Sequence, residues 1–285
     1  MAHLKVALIQ NCAEREVGPS VAEVESLVRV AAHNKAEFIL LPEMVAMLEP
    51  DNAAVLRKCG PEAEDPALKT FRGLAVETGA WILVGSLLFK EPGKSRVVNR
   101  SLLVDPAGNI TARYDKLHLF DVDVGDGQFY KESATVEPGE RAVLAATPWG
   151  LLGLSICYDL RFAYLYRALA QAGAGMLAVP AAFTYATGKA HWHILARARA
   201  IETGSFVLAP NQCGTHAEGR KTWGHSLIVD PWGEIIADGG EEIGVIQATI
   251  DLDQVLEARR KIPALKHDRD FPAPGRPVLQ SMAGE

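Results

Sequence analysis

Cys157 ends an apolar run, GLLGLSIC, at the point where the chain turns polar with Tyr158 and Asp159. A thiol at the end of a strand can lie near the backbone N–H groups of the following turn. Such groups lower the pKa of a thiol and can hold a developing oxyanion. Free cysteines are more often buried structural residues. The local sequence therefore leaves both a nucleophile and a core thiol open.

Two further residues could assist a nucleophile. Glu43 follows the apolar run ILLP, and a carboxylate there is costly unless it is paired or useful. It could have a raised pKa and act as a general base near neutrality. Lys116, within RYDKLHLFD, could be a fixed cation that stabilises negative charge. Taken singly, Glu43 could equally form an ordinary ion pair, and Lys116 could be a solvated lysine. Glu132 by itself is a plain loop carboxylate, and His118 is better explained as a hydrogen-bonded structural histidine.

Two histidine patterns suggest different chemistry. HWH at 191–193 resembles a metal-binding pair, but side chains two apart on a helix face in different directions. With no acidic ligands near it in the sequence, we predict no metal site. HAE at 216–218 has the spacing of a Cys–His–Glu amidotransferase triad. That class needs a glycine-flanked cysteine, which SICYD does not supply.

The elements that must position these residues are short apolar strands alternating with helical patterns. Ser20 and Glu23 have capping-box spacing and predict a helix that starts at Ser20. Asp65 followed by Pro66 predicts a second helix start. The strands are apolar throughout, which is typical of strands covered on both faces. The sequence therefore predicts an α/β protein.

Part of the chain resembles another part. Three pairs of segments correspond in the same order: VALIQN (6–11) with LGLSIC (152–157), AEFILLPE (36–43) with AGMLAVPA (174–181), and SLLVDPAGNITA (101–112) with SLIVDPWGEIIA (226–237). Strand–turn–strand sequences can look alike by chance, but two related halves packed as one domain are the sharper interpretation. Glu43 and Cys157 would then converge at strand ends, where open α/β sheets usually bind ligands.

The composition excludes several classes of protein. The net charge of −6 without a long basic run disfavours a nucleic-acid surface. No apolar stretch approaches the roughly 18 residues of a membrane-spanning helix, and the first residues show no signal-peptide core. The four cysteines form no CxxC pair, so we expect free thiols in a reducing compartment, the cytoplasm.

The order of three motifs resembles the nitrilase superfamily of carbon–nitrogen hydrolases. The motifs are Glu43 after LLP, Lys116 in YDKLHLFDVD and Cys157 in GLSICYDLRF, and FYKES adds Glu132 at the position of the family's second glutamate. The likeness runs from VALIQ to RKIPALKHDR. PAAFTYATGKAHWHILARARAIET and WGHSLIVDPWG resemble the branch that contains omega-amidase and deaminated glutathione amidase.

The resemblance implies a four-layer αββα sandwich with two pseudo-related halves, assembled as a homodimer or a larger even homo-oligomer. It implies that Glu43, Lys116, Glu132 and Cys157 are catalytic, that the Tyr158 N–H helps to hold the oxyanion, and that no metal or organic cofactor is needed. We assign residues 1–262 to the carbon–nitrogen hydrolase domain. Residues 263–285 are expected to form a tail that packs on the surface or on a partner subunit.

The implied substrate is a small anionic amide, either deaminated glutathione or an omega-amide of a dicarboxylate. It would be hydrolysed through a thioester acyl-enzyme, with release of ammonia or an amine. A nitrilase that uses the same residues and a catalytically silent binding protein of the same fold remain alternatives. Candidate substrate contacts are Arg161, Phe183, Thr184 and His191, and further possible partners of a carboxylate are Lys189, Arg197 and Arg199.

Overall fold

The computed structural model describes residues 3–123, 129–272 and 274. Its helices are α1 (Val17–His33), α2 (Asn52–Lys58), α3 (Pro66–Thr78), α4 (Ala163–Gln171), α5 (Tyr185–Thr187), α6 (His193–Thr203) and α7 (Asp253–Lys261), with a π-helical turn, Gly188–Trp192, before α6. Its strands are β1 (His3–Gln10), β2 (Phe38–Leu40), β3 (Trp81–Lys90), β4 (Val97–Val104), β5 (Ile110–Asp115), β6 (Asp121–Asp123), β7 (Phe129–Lys131), β8 (Val136–Glu137), β9 (Val143–Thr147), β10 (Gly150–Leu154), β11 (Met176–Ala178), β12 (Phe206–Ala209), β13 (Cys213–Thr215), β14 (Lys221–Trp223), β15 (Leu227–Val229), β16 (Ile235–Asp238) and β17 (Gly244–Asp251).

The side chains of β1 show how the layers form. Leu4, Val6 and Leu8 belong to the core shared with the second sheet, which contains β9, β10, β11, β12, β15 and β16. Ala7 and Ile9 belong to the core beneath α1 and α3. Successive side chains of a strand point to opposite faces, so each face of this sheet has its own apolar cover. Such two-sided burial explains why the strand sequence is a continuous apolar run.

The second sheet is covered on its outer face by α4 and α6. Leu165 and Leu169 of α4 and Ala196 and Ala200 of α6 are buried in the same core as the strands of that sheet. The order of layers is therefore helices, sheet, sheet, helices. The predicted αββα sandwich is confirmed.

The two sheets repeat one topology, which confirms the prediction of related halves. The strand orders are β17-β1-β2-β3-β4-β5 and β9-β10-β11-β12-β15-β16, and β8 also pairs with β4. In each sheet the second, third and fourth strands of this order run parallel, and every other pair within the order is antiparallel. The additional strand β8 runs parallel to β4. The turns match as well, because Asp105 and Asp230 each accept hydrogen bonds from the N–H groups two and four residues later.

One predicted helix start is confirmed and the other is wrong. The Asp65 carboxylate caps α3 by accepting a hydrogen bond from the N–H three residues later, at 2.8 Å. Helix α1, however, begins at Val17 rather than at Ser20. The Ser20 hydroxyl is buried and accepts a hydrogen bond from the Glu14 N–H at 2.8 Å, so it stabilises the preceding segment instead.

The described part of the tail lies along α4. Arg167 donates a hydrogen bond to the Ala264 carbonyl at 2.9 Å, and Gln171 donates to the Leu265 carbonyl at 3.2 Å. Residues 273 and 275–285 lie outside the described residues, and the predicted contact of the tail with a partner subunit stays a prediction. Within the described ranges no helix is both long and apolar enough to cross a membrane.

Candidate active site

Four polar side chains meet at the ends of strands from both halves. Glu43 follows β2, Lys116 follows β5, Glu132 follows β7, and Cys157 begins a short 3-10 helix after β10. Lys116 and Glu43 are almost fully buried, and Cys157 is 7% exposed. All four line one cavity of about 570 Å³.

Lys116 lies between two carboxylates. Its Nζ atom is 2.8 Å from Glu43 Oε1 and 2.9 Å from Glu132 Oε2. Asn99 Nδ2 donates hydrogen bonds to the same two side chains, at 3.0 Å to Glu43 and 3.2 Å to Glu132. One ammonium and one amide therefore hold both carboxylates, and this cluster carries one net negative charge.

The backbone at Cys157 is held in an uncommon conformation. Its φ of +49° lies in the left-handed region, which non-glycine residues rarely adopt. The Cys157 N–H donates to the Pro180 carbonyl at 2.8 Å, and Asp159 accepts a hydrogen bond from the N–H three residues before it. The sulfur lies close enough to the Glu43 carboxylate and to the Ala182 N–H for both to affect its pKa. These contacts present the thiol directly to a carboxylate.

Burial and charge set the ionisation of the cluster. Burial opposes ionisation of Glu43, but Lys116 outweighs it and lowers the pKa of Glu43 below its ordinary value of 4.5. Burial, and then the charge of Glu43, raise the pKa of Cys157 well above its ordinary value. Burial also opposes the charge of Lys116, yet Glu132 and Glu43 raise its pKa. The resting cluster is a neutral thiol, two carboxylates and an ammonium.

These pKa directions correct two expectations from the sequence. The pKa of Glu43 is lowered rather than raised, because the ammonium of Lys116 lies at hydrogen-bonding distance. The pKa of Cys157 is raised rather than lowered, because burial and the adjacent carboxylate dominate. A nucleophilic thiolate therefore has to form by transfer of the proton to a base during the reaction.

Sequence reasoning missed Asn99 and Asp159. Asn99 stands in the middle of β4 and is fully buried. A buried amide needs hydrogen-bond partners, but the polar Arg100 and Ser101 follow Asn99 in the sequence, so its position was only a weak signal. Asp159 accepts from the Tyr114 hydroxyl at 2.6 Å and from the His118 N–H at 3.0 Å. His118 also contacts Asp159 through Nδ1 at 2.6 Å, which makes it part of the support of the turn.

The candidate substrate contacts fall into two groups. Phe183 and Thr184 line the cavity. Arg161 and His191 are not among the described residues that line the cavity. The Arg161 guanidinium lies 5.4 Å from the Phe183 ring centroid and 5.8 Å from that of Tyr158, and its Nη atoms are 3.4 Å from His191 Nδ1.

The other basic residues offered as carboxylate partners do not line this cavity either. Arg199 is buried and donates to the Leu160 carbonyl at 2.9 Å. Arg197 donates to the Gly233 carbonyl at 2.7 Å, and Lys189 is exposed in the π-helical turn. Their positions on α6 and the turn before it place them in the outer helical layer.

An aspartate that is distant in the sequence lies beside the second histidine of the HWH motif. His193 Nε2 is 3.0 Å from Asp238 Oδ2, and His225 Nδ1 is 2.8 Å from Asp238 Oδ1. The ligand atoms of these three residues all lie within 4.8 Å of one another, a spacing that could hold a metal ion. The sequence around the motif shows no acidic ligand, but the fold brings Asp238 to His193 from β16. The absence of a metal site stays a prediction.

His216 of the HAE motif is a structural residue. Its Nδ1 atom is 2.9 Å from the Ala13 carbonyl and its Nε2 atom is 2.7 Å from the Thr222 hydroxyl. Burial lowers the pKa of His216 to about 4, so the ring is neutral. Its nearest thiol is that of Cys12, at 3.6 Å. The arrangement does not form a triad with Cys157.

Comparisons with known proteins show which proteins this chain is similar to. A deaminated glutathione amidase from Yersinia enterocolitica is 39% identical over 273 residues, which cover 94% of each chain. Nit3 of Saccharomyces cerevisiae, a member of branch 10 of the nitrilase superfamily, has a TM-score of 0.84 at 26% identity, over 93% of this chain and 96% of that one.

A solved structure of a mutant amidase from Nesterenkonia sp. AN1 shows the result of Michael addition of acrylamide at the active-site cysteine of that enzyme. It has a TM-score of 0.77 at 25% identity and covers 91% of this chain and 98% of that one. The family model for carbon–nitrogen hydrolases matches residues 5–260. The chain therefore belongs to the carbon–nitrogen hydrolase family.

Proposed function

We propose that this protein is a cysteine-dependent amidase that hydrolyses a small anionic amide through a thioester. Deaminated glutathione is the first candidate substrate, because the Yersinia relative bears that name. An omega-amide of a dicarboxylate is the second. The observation that carries the proposal is that the Cys157 thiol lies in the same cavity as, and close to, a Glu43 carboxylate that Lys116 keeps ionised at 2.8 Å.

In the acylation half, Cys157 Sγ attacks the amide carbon while its proton passes to Glu43. The oxyanion that forms is held by the Tyr158 N–H and by the ammonium of Lys116, and removal of one such donor typically costs about 10²–10³ in rate. Glu43 then gives the proton to the leaving nitrogen, the C–N bond breaks, and the amine or ammonia departs. The product is a thioester on Cys157.

In the deacylation half, Glu43 takes a proton from water, which attacks the thioester carbon. Collapse of the second oxyanion breaks the C–S bond and returns the proton to the sulfur, so the free acid leaves and the resting state is restored. Glu132 and Asn99 hold Lys116 and Glu43 in place through both halves. This sequence of steps asks nothing of a metal or an organic cofactor.

The assembly and the compartment are proposals of the same kind. Large apolar side chains are exposed on α4 and α6, at Tyr164, Ile194 and Ile201, and in the turn between β15 and β16, at Trp232. Burial of this surface against a second copy would form a homodimer or a larger even assembly, and sedimentation velocity measures the mass. The four cysteines are free, which suits the reducing cytoplasm.

The test is hydrolysis over a panel of amides and matched nitriles, with Cys157→Ser beside the wild type. We expect the wild type to hydrolyse deaminated glutathione or an omega-amide and Cys157→Ser to be inactive but folded. Cys12→Ser is the control, because Cys12 is the half-exposed thiol and takes no part in the proposed steps. Nitrile turnover without amide turnover, or binding without any turnover, would overturn the proposal.

A further inference from the structure

Arg220 is a charged residue that lines the cavity but takes no part in the proposed catalytic steps. It lies between β13 and β14 and lines the same cavity as Cys157. Its Nε atom is buried and has no hydrogen-bond partner among the residues that the structure describes, whereas most buried donors in proteins are bonded. Among the described residues its guanidinium contacts the Ala182 carbonyl at 3.5 Å and the Tyr130 ring, and it pairs with no carboxylate.

The backbone of Ala182 lies between Arg220 and the reacting atoms. The Ala182 N–H donates to Glu43 at 2.9 Å and lies close enough to the Cys157 sulfur to affect its pKa, while the Ala182 carbonyl accepts from Arg220 Nη2 at 3.5 Å. Standard backbone dimensions then place the guanidinium within about 10 Å of the sulfur. That span suits an acyl group a few carbons long, with its carbonyl carbon at Cys157 and its far end at Arg220.

The charges of the cavity explain why such a group is needed. Lys116 is neutralised by Glu43 and Glu132, and that cluster has one net negative charge. A negatively charged substrate is repelled by it, and more strongly in a water-poor cavity than in solvent. Lys131 is exposed at the end of β7, whereas Arg220 is half-buried beside the reacting groups. Arg220 therefore provides the opposing charge inside the cavity.

The guanidinium is also oriented before any substrate arrives. Its carbon lies 5.4 Å from the Tyr130 ring centroid, which gives a cation–π contact. The His216 N–H donates to the Arg220 carbonyl at 2.7 Å, and the His216 ring is held by Ala13 and Thr222. A planar guanidinium fixed in this way can donate two parallel hydrogen bonds to a carboxylate.

We propose that Arg220 binds the carboxylate at the far end of the acyl group that is transferred to Cys157. The subsite would make the enzyme specific for monoamides of short dicarboxylic acids, including those whose leaving group is a peptide amine. This inference rests on the proposed amidase function, and it adds the residue that selects the charge of the substrate.

The experiment compares two substrates with and without the guanidinium. The substrates are deaminated glutathione and the same molecule with the carboxylate of its keto-acid end as a methyl ester. Both release a primary amine that neither substrate contains, so amine-reactive fluorescence follows the reaction. For Arg220→Gln we expect kcat/KM to fall roughly 10- to 100-fold with the acid, mainly through KM, because a hydrogen-bonded charge is lost.

The same variant should change kcat/KM for the ester by less than about threefold, since a neutral ester leaves little charge to lose. Arg15→Gln is the matched control: Arg15 pairs with Glu218 and Glu49, which line the cavity, but does not itself line it. We expect it to leave the preference for the acid unchanged. Arg220→Lys should recover part of the loss, because it keeps the charge without the planar pair of donors.

Equal losses with both substrates, or no loss with either, would overturn the role of Arg220. If Arg220→Gln does not fold, the wild type decides through product inhibition. The dicarboxylate product should then inhibit the wild type at least about tenfold more strongly than its monoester does. Equal inhibition by the two compounds would overturn the inference. Failure of the wild type to hydrolyse either substrate, or any amide, contradicts the proposed function instead.

Discussion

Replacement of Lys116 by methionine tests how the charged cluster is stabilised. The substitution keeps most of the side-chain volume and removes the ammonium that lies 2.8 Å from Glu43 and 2.9 Å from Glu132. Both carboxylates then stay in the cavity with Asn99 as their common donor. Loss of one partner from a buried ion pair typically destabilises a protein by about 3–5 kcal/mol. For a chain of this size, with an unfolding entropy of about 0.6 kcal/mol/K, that is a fall in Tm of roughly 5–8 °C.

The loss should depend on pH. In the wild type the pKa of Glu43 is lowered, so its contribution to stability is present above pH 4.5 and is lost as pH falls through the folded-state pKa. In Lys116→Met the effect of burial on Glu43 remains without its counter-charge, so the folded-state pKa lies above the unfolded one. The variant is then most stable in acid and loses stability as pH rises.

The assay is thermal unfolding followed by circular dichroism at about pH 5 and about pH 8, together with amide hydrolysis. We expect a larger fall in Tm at the higher pH and a loss of activity of at least about 10²-fold. The double variant Lys116→Met/Glu132→Gln should regain part of the Tm and none of the activity. Arg29→Met, which breaks an exposed pair with Glu77, is the control. A fall in Tm that matches the control and is the same at both pH values refutes the reasoning.

Three further predictions concern the supports of the site. Asn99→Leu removes the donor shared by Glu43 and Glu132; we expect a loss of about 1–3 kcal/mol in denaturant unfolding and at least about a tenfold fall in kcat, and unchanged kinetics would contradict the role of Asn99. Gly85→Ala puts a Cβ 1.9 Å from the Leu41 carbonyl, so it should displace the strand end that carries Glu43 and abolish activity, whereas Gly73→Ala, with open space around it, should not. The acid limb of kcat/KM should lie below pH 4.5, the ordinary pKa of the glutamate, and a limb near about pH 6–7 would mean that another group is the base.

The sequence predicts the layers of this fold because burial imprints itself on strands. Both faces of β2 are covered, so its residues are apolar throughout, and Glu43 stands out as the first charge after them. Cys157 stands out for the same reason, because it ends the apolar run that begins with β10. The internal likeness of 101–112 and 226–237 corresponds to equivalent strand pairs and matching aspartate turns.

The features that could not be predicted depend on residues far apart in the chain. The direction of the Glu43 pKa reflects a lysine 73 positions away. Arg220 lies in a short loop with no apolar period. Its significance comes from a buried Nε that has no partner within the described part of the chain, which only the three-dimensional arrangement reveals. The early helix start at Val17 arises because Ser20 serves the segment before it rather than the helix.

The central claim is that the Cys157 sulfur carries the acyl group during turnover, and intact-mass spectrometry of acid-quenched enzyme tests it directly. With deaminated glutathione in excess, we expect a transient mass increase of one keto-acid acyl group, mapped by peptide analysis to Cys157 and absent from Cys157→Ser. An acyl group on Cys12, Cys59 or Cys213, or steady turnover by Cys157→Ser, would contradict this role of Cys157.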